Sequence, residues 1–312
     1  MIEKYKEIIK SIEQGSPLLF SSPILTGFSG KKMMNALQRF SNLYRGNKEV
    51  CYLEVGVFQG LTLLSVAAST ENELLCCGID NFIHHDKDKK NYNIIQERIQ
   101  ALSLTQVQLL NDDYEDILEN LSKHIGNKKV AIYFIDGPHD YRSQMMCLLL
   151  IKPFLAPNAV IIVDDSNYRH VRQANRDFLV AHPEFKLLYE TYTYTHPTTM
   201  PEDKKSIARE GWWDGVNILV YDTDNVLAPM LPQTYRPREL YENDHLIHPS
   251  SVAEVAPFLL QSFRACMKFN LLTAIRAFGV AVKKYYKGKM SERYAEINTY
   301  SDSLETRMNN LR

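Results

Sequence analysis

An excess of charge of either sign is the first thing this sequence lacks. Its 36 lysine and arginine residues face 37 acids, a formal net charge of −1 at pH 7, and the basic residues are spread along the chain. Nothing draws such a surface to a polyanion, so nucleic acid is not an expected partner. Long apolar runs are missing too: no stretch reaches the roughly 18 uncharged residues of a membrane span, so no transmembrane segment is expected. The opening M-I-E-K-Y-K-E-I-I-K-S-I-E-Q places charge throughout what would be a signal core, and reads as an amphipathic helix. Cysteine is scarce and unpaired in spacing. Cys51, Cys76, Cys77, Cys147 and Cys266 are odd in number, sit mostly in apolar runs and form no C-x-x-C. A structural zinc site is therefore not expected, and a reduced, cytoplasmic setting fits. No internal repeat or low-complexity segment is present.

What the chain does have is 45% hydrophobic residues, ample for a core, and a rhythm. Helical patterns at 3–14 and 31–45 flank an irregular linker rich in proline, serine and glycine. From residue 49 short apolar runs alternate with helical segments: strands at 49–55, 74–79, 106–110, 129–135 and 158–163, helices at 60–69, 89–103, 114–124 and 141–154. A helix near 168–180, a strand at 185–192, a polar loop at 195–211 and a last, antiparallel strand ending at Asp222 follow. Repeated βαβ units imply a parallel sheet. The expected fold is α/β, Rossmann-like and doubly wound, a mostly parallel seven-stranded sheet with helices on both faces. Residues 1–48 form an N-terminal helical or lid segment, 49–225 the main domain, and 226–312 a helical C-terminal extension. The apolar stripe of that extension, interspersed with Arg264, Lys268, Arg276, Lys283 and Lys284, reads as packing or a homo-oligomer contact in preference to a membrane-surface helix.

The residues that carry chemistry fall at strand ends. In Y-L-E-V-G-V-F-Q-G-L-T, Glu54 closes a strand, and Gly56 and Gly60 frame a turn into a helix whose N-terminus offers free N–H groups. Phe58 stands where a dinucleotide fingerprint has its middle glycine. L-L-C-C-G-I-D ends in Asp80, about 20 residues on, where a carboxylate accepts from ribose hydroxyls. N-D-D-Y brings Asp112 and Asp113 to the same edge, either toward a ligand or as a helix cap. The most specific segment is I-D-G-P-H-D-Y followed by I-I-V-D-D. Two consecutive strands end in Asp136 and in Asp164-Asp165, and such a cluster raises its own pKa values unless a hard divalent cation, Mg²⁺ or similar, relieves it. His139, three residues after Asp136, is placed to act as general base.

Residues 49–222 resemble the class I S-adenosylmethionine-dependent methyltransferases, in particular the metal-dependent sugar and macrolide O-methyltransferases of the macrocin and mycinamicin type. The resemblance implies that Glu54, Gly56 and Gly60 line the methionine and ribose side of S-adenosylmethionine, Asp80 its ribose and Asp113 the adenine edge, with Asp112 and Asp136 nearby. It implies that Asp136, Asp164 and Asp165 hold the metal, that His139 takes the proton, and that the acceptor is a hydroxyl of a small molecule or glycan. L-A-P-N-A departs from the glycine-rich turn usual before the last motif strand. The segment T-G-F-S-G-K-K at 26–32 and the loop with His196, Trp212, Trp213 and Asp214 are candidate lids over the acceptor. A nicotinamide oxidoreductase and a non-catalytic scaffold are the competing expectations.

Overall fold

The computed structural model describes residues 1–83, 86, 88–193, 202–234, 251–287 and 305–310. Two helices come first, α1 (Ile2–Glu13) and α2 (Lys31–Asn42). Then follow β1 (Val50–Val55), α3 (Leu61–Ser69), β2 (Leu75–Ile79), α4 (Asn91–Ala101), β3 (Val107–Leu110), α5 (Tyr114–Glu119) and α6 (Ser122–Ile125). The series continues through β4 (Lys129–Ile135), α7 (Tyr141–Ile151), β5 (Leu155–Val163), α8 (Arg169–Ala181), β6 (Phe185–Thr191), α9 (Glu202–Glu210) and β7 (Val216–Tyr221). Helices α10 (Ser251–Met267) and α11 (Leu271–Lys287) precede a short β8 (Arg307–Met308).

The sheet order is β3-β2-β1-β4-β5-β7-β6-β8. Strands β1 to β5 pair in parallel, and β7 runs antiparallel between β5 and β6. This is the Rossmann-like α/β architecture the alternation implies. Central strands buried on both faces must be apolar nearly throughout, and β1 is buried at all six positions and β4 at all but its first. The sheet has eight strands rather than seven, because β8 pairs with β6 through Tyr189 and Met308. The segment 226–312 is accordingly not helical throughout.

Other departures have local causes. The helix expected over 114–124 is interrupted at Asn120 and Leu121. The helix expected to reach Phe154 ends at Ile151, and Pro153, which has no N–H to donate, sits in a 3-10 turn over Lys152–Phe154. The polar stretch 195–211 contains a helix, α9, over 202–210. His196 lies outside the described residues.

The chain divides into two compact units, residues 1–234 with 300–312, and residues 235–299. In the first, α1 buries Ile2, Tyr5, Ile9 and Ile12 along one stripe, and α2 buries Met33, Ala36, Leu37 and Phe40. Each large apolar side chain so removed from water contributes about 1.5–3 kcal/mol before chain entropy is counted. At the end of α1 the Glu13 carboxylate accepts from Trp212 Nε1 (2.6 Å), Tyr189 OH (2.8 Å) and Lys32 Nζ (2.6 Å). Trp212 is thereby a buried anchor, not part of a lid. In the second unit α10 and α11 pack on one another as a hairpin.

Candidate active site

Strand register places the acids. Val55 of β1 pairs with Ile135 of β4, Ile135 with Val163 of β5, and Val163 with Asn217 of β7. The residue after each parallel strand therefore arrives at one edge: Gly56, Asp136 and Asp164. The order reverses between β1 and β4, and there an open α/β sheet leaves its ligand crevice. Gly56 has φ +87°, and a Cβ on it would stand 1.8 Å from the Asp136 carbonyl oxygen, so only glycine lets these two strand ends approach.

Asp136, His139 and Asp165 each bring one donor atom into a group whose three atoms lie within 4.8 Å of one another. His139 Nε2 is 2.8 Å from Asp165 Oδ2, and its ring stacks on Tyr168 with centroids 5.0 Å apart. Asp164 is turned toward its neighbour, its Oδ1 accepting from the Asp165 N–H at 2.8 Å. A fourth acid, the fully buried Asp214, completes the group, accepting from Asn167 Nδ2 at 2.7 Å.

Burial first, and the facing carboxylates of Asp164 and Asp165 next, push the Asp136 carboxyl well above the usual range. Burial and then Asp165 do the same to Asp164 and to Asp214. For His139 burial favours the neutral ring, but the Asp165 carboxylate outweighs it and the net shift is upward. The carboxyls thus disfavour one another's charge, and a cation among them would relieve this. Three non-glycine residues around it occupy the left-handed region, Phe58, Asp165 and Trp213 (φ 49°, 51° and 61°). They are three of eleven such residues among the described ones, and each costs about 1–3 kcal/mol.

The other sequence-derived candidates are tied to the turn beside the acids. Asp80 Oδ2 accepts from the Val57 and Phe58 N–H groups, each at 2.9 Å, and Oδ1 from Phe82 at 2.7 Å. Its carboxylate holds the glycine turn. Gly60, at φ +79°, is the N-cap of α3. Glu54 is fully buried, its oxygens accepting from Tyr52 OH (2.5 Å) and Thr62 Oγ1 (2.6 Å). Asp113 caps α5 by accepting from the Glu115 N–H at 2.8 Å, and Asp112 accepts from the Asp113 N–H at 2.8 Å.

Burial drives the Glu54 carboxyl up to about 8, against the two hydroxyl donors that favour its ionised form. A raised acid stabilises the fold in its protonated state. That contribution is whole below the unfolded value near 4.5 and is lost as pH rises through about 8. Glu54→Gln, permanently neutral, is expected to melt progressively higher than the parent as pH rises from 6 to 9. One pKa unit is about 1.4 kcal/mol, so the alkaline difference is on the order of several kcal/mol. A parallel pair of melting curves against pH would contradict this.

The glycine-rich segment 26–32 lies against the same turn. Arg98 donates to Gln59 O (2.5 Å), Thr26 O (3.1 Å) and Thr26 Oγ1 (2.7 Å). Lys32 N donates to Gly211 O at 3.0 Å. Phe28, 61% exposed, stands between Phe58 and Trp213 with ring centroids 5.3 and 6.3 Å away. Both candidate lid segments therefore meet over the glycine turn.

Asp214 and Tyr168 are the members that sequence reasoning did not single out for chemistry. The signal for Asp214 was the direction of β7: residues just ahead of an antiparallel strand, here Asp214 and Gly215, arrive at the edge where parallel strands end.

Residues 53–166 match the model of a family described as a methyltransferase domain, a segment that runs from the end of β1 to the acid pair after β5. Sheet order and switch point are those of a Rossmann-like fold, and within it the matched segment, rather more than a third of the chain, is similar to a methyltransferase domain. Among curated proteins none matches the sequence. Solved structures similar to the chain include an O-methyltransferase from Bacillus cereus in complex with SAH, 14% identical over 70% of this chain and 89% of that one, at a TM-score of 0.44. Another is the O-methyltransferase TomG from Streptomyces achromogenes, involved in tomaymycin synthesis and solved with SAM, 14% identical over 71% and 89%, at 0.47. A TDP-rhamnose 3'-O-methyltransferase of calicheamicin biosynthesis is 19% identical over 58% and 87%, at 0.42.

Proposed function

We propose that the protein transfers the methyl group of S-adenosylmethionine to a hydroxyl oxygen of a sugar or related natural-product acceptor. The observation that carries this reading is the convergence of Asp136, His139 and Asp165 at the β1/β4 switch point. Cofactor and acceptor meet there, the cofactor over the glycine turn and the acceptor over the acids. The four acids complement the positive sulfonium, and fixed positioning of the two reactants supplies much of the rate.

In the transfer the sulfonium C–S bond breaks as the acceptor C–O bond forms, leaving S-adenosylhomocysteine. The hydroxyl proton passes to His139. Asp165, 2.8 Å from His139 Nε2, orients the ring and stabilises the imidazolium that results. Phe28, Phe58 and Trp213 offer apolar faces on which a sugar ring can stack.

Two carboxylates and an imidazole with donor atoms this close together also fit a divalent cation such as Mg²⁺, with Asp164 adjacent. Bound there, such an ion would orient a vicinal diol and lower the pKa of its hydroxyl. The same geometry supports a second reading of His139, as a ligand and not the base. Measuring His139→Ala separates the two. As base, the variant loses about 10²- to 10⁴-fold in turnover and keeps both S-adenosylmethionine and cation affinity. As ligand, it loses cation affinity as well. Unchanged turnover would remove His139 from the mechanism.

A further inference from the structure

The hairpin of α10 and α11 is built inside out for water. Apart from Val255 near the start of α10, its buried positions among the described residues are alanines, Ala265, Ala274, Ala277 and Ala281. Its large apolar side chains point away: Phe263, Met267, Leu272, Ile275 and Phe278 are all more than half exposed, and Phe269 at the tip is 92% exposed. A hairpin stabilised by water puts large residues in the seam and small or polar ones outside. Small residues in the seam with leucine and phenylalanine outside is the arrangement of helices facing lipid. A hydrogen bond from Ser262 Oγ to the Ala274 carbonyl (2.9 Å) ties the seam across, and Asn270 caps α11 by accepting from the Thr273 N–H.

Charge narrows the partner. Residues 251–287 hold Arg264, Lys268, Arg276, Lys283, Lys284 and Lys287 against one acid, Glu254, in a chain whose net charge is −1. Tyr285 and Tyr286, half exposed or more, add the amphipathic rings that settle at a lipid headgroup layer. A second copy docking through the same face would oppose like charges. Among the described residues no helix is long and apolar enough to cross a membrane, and 17 residues extend only about 25 Å.

From these features we infer that the α10–α11 hairpin is a membrane-surface element, which sinks the apolar tip around Phe269 into the interface of an anionic bilayer while its cations meet the headgroups. Helices of this composition lie in the interface plane, held by buried apolar area and by attraction to anionic lipid. The inference stands apart from the chemistry at the sheet edge.

Co-sedimentation of the full chain with vesicles of phosphatidylcholine, with and without phosphatidylglycerol, tests it. Binding to the anionic vesicles is expected, weakening as salt rises. Phe269→Ser and Leu272→Ser each reduce partitioning on the order of tenfold. Lys283→Gln with Lys284→Gln reduces binding to anionic vesicles about 25-fold, about fivefold per charge. All these side chains are exposed, so the variants should melt as the parent does. Equal binding to both vesicle types would overturn the anionic assignment. Absence of binding to either would overturn the inference, and a concentration-dependent dimer lost in Phe269→Ser would give the face to a second copy.

Discussion

Asp136→Asn is expected to raise the melting temperature of the cation-free protein and, on the proposed function, to abolish methyl transfer and stabilisation by Mg²⁺. Asp136 faces Asp164 and Asp165 across the ends of β4 and β5, and those neighbours hold its carboxyl above the ordinary range. A group whose folded pKa is raised contributes stability at low pH and loses it as pH rises through the folded value. Asparagine never acquires the charge. The gain therefore grows with pH and closes below the ordinary carboxylate range, where both side chains are neutral. Relief of two close repulsions is roughly 1 kcal/mol or more, which moves a domain of this size about 2–4 °C. The loss is larger. At a Mg²⁺ concentration 100 times its dissociation constant the parent gains about 2.7 kcal/mol, and the variant gains none. Melting curves of both proteins with and without Mg²⁺ check this, and an Asp136→Asn protein that keeps the Mg²⁺ response contradicts it. Stability sacrificed to hold like charges together is what a functional site looks like from the thermodynamic side.

Gly56→Ala is the second large effect. The added methyl would stand 1.8 Å from the Asp136 carbonyl oxygen and 2.5 Å from its carbon, both backbone atoms of a central strand end. The residue also keeps φ +87°, which a side chain disfavours. Neither strand can retreat without breaking the ladder between Val55 and Ile135. The expected cost is at least about 3 kcal/mol, with loss of cofactor binding in whatever protein still folds. Gly15→Ala is the control: φ is +86°, close to that of Gly56, but nothing lies within 4 Å of the added carbon, so about 1–2 kcal/mol is expected. Denaturant titration of both variants decides it, and equal costs would show that the contact between the two strand ends is soft.

The sheet was legible because its strands are buried on both faces. V-C-Y-L-E-V and K-V-A-I-Y-F-I can hardly be anything but central strands, and the acids that end them follow the register. Asp136, Asp164 and Asp165 could therefore be assigned to one edge from the sequence. What the sequence could not supply was contact between segments far apart along it. Asp214 joins the acids through the pairing of β5 with β7 and a hydrogen bond to Asn167, 47 residues away. Phe28 meets Phe58 and Trp213 only because Gly30 lets the backbone pass beside Gly211, where a Cβ would stand 2.2 Å from its carbonyl oxygen. Asp80 illustrates a subtler limit: its spacing suits a ribose, yet in the folded chain its oxygens already accept from the Val57, Phe58 and Phe82 amides. Spacing placed that carboxylate at the right edge without revealing what it holds. The outward apolar face of α10 and α11 was equally hidden, since an amphipathic stripe looks the same in sequence whichever face the partner helix takes.

The most direct test of the account is calorimetric titration of the purified full chain with S-adenosylmethionine, with and without Mg²⁺. Saturable one-site binding, retained in His139→Ala and lost in Gly56→Ala, is the expected result. No binding in either condition, with nicotinamide cofactors run alongside, would contradict the methyl-transfer reading and leave the acid cluster without a cofactor to serve.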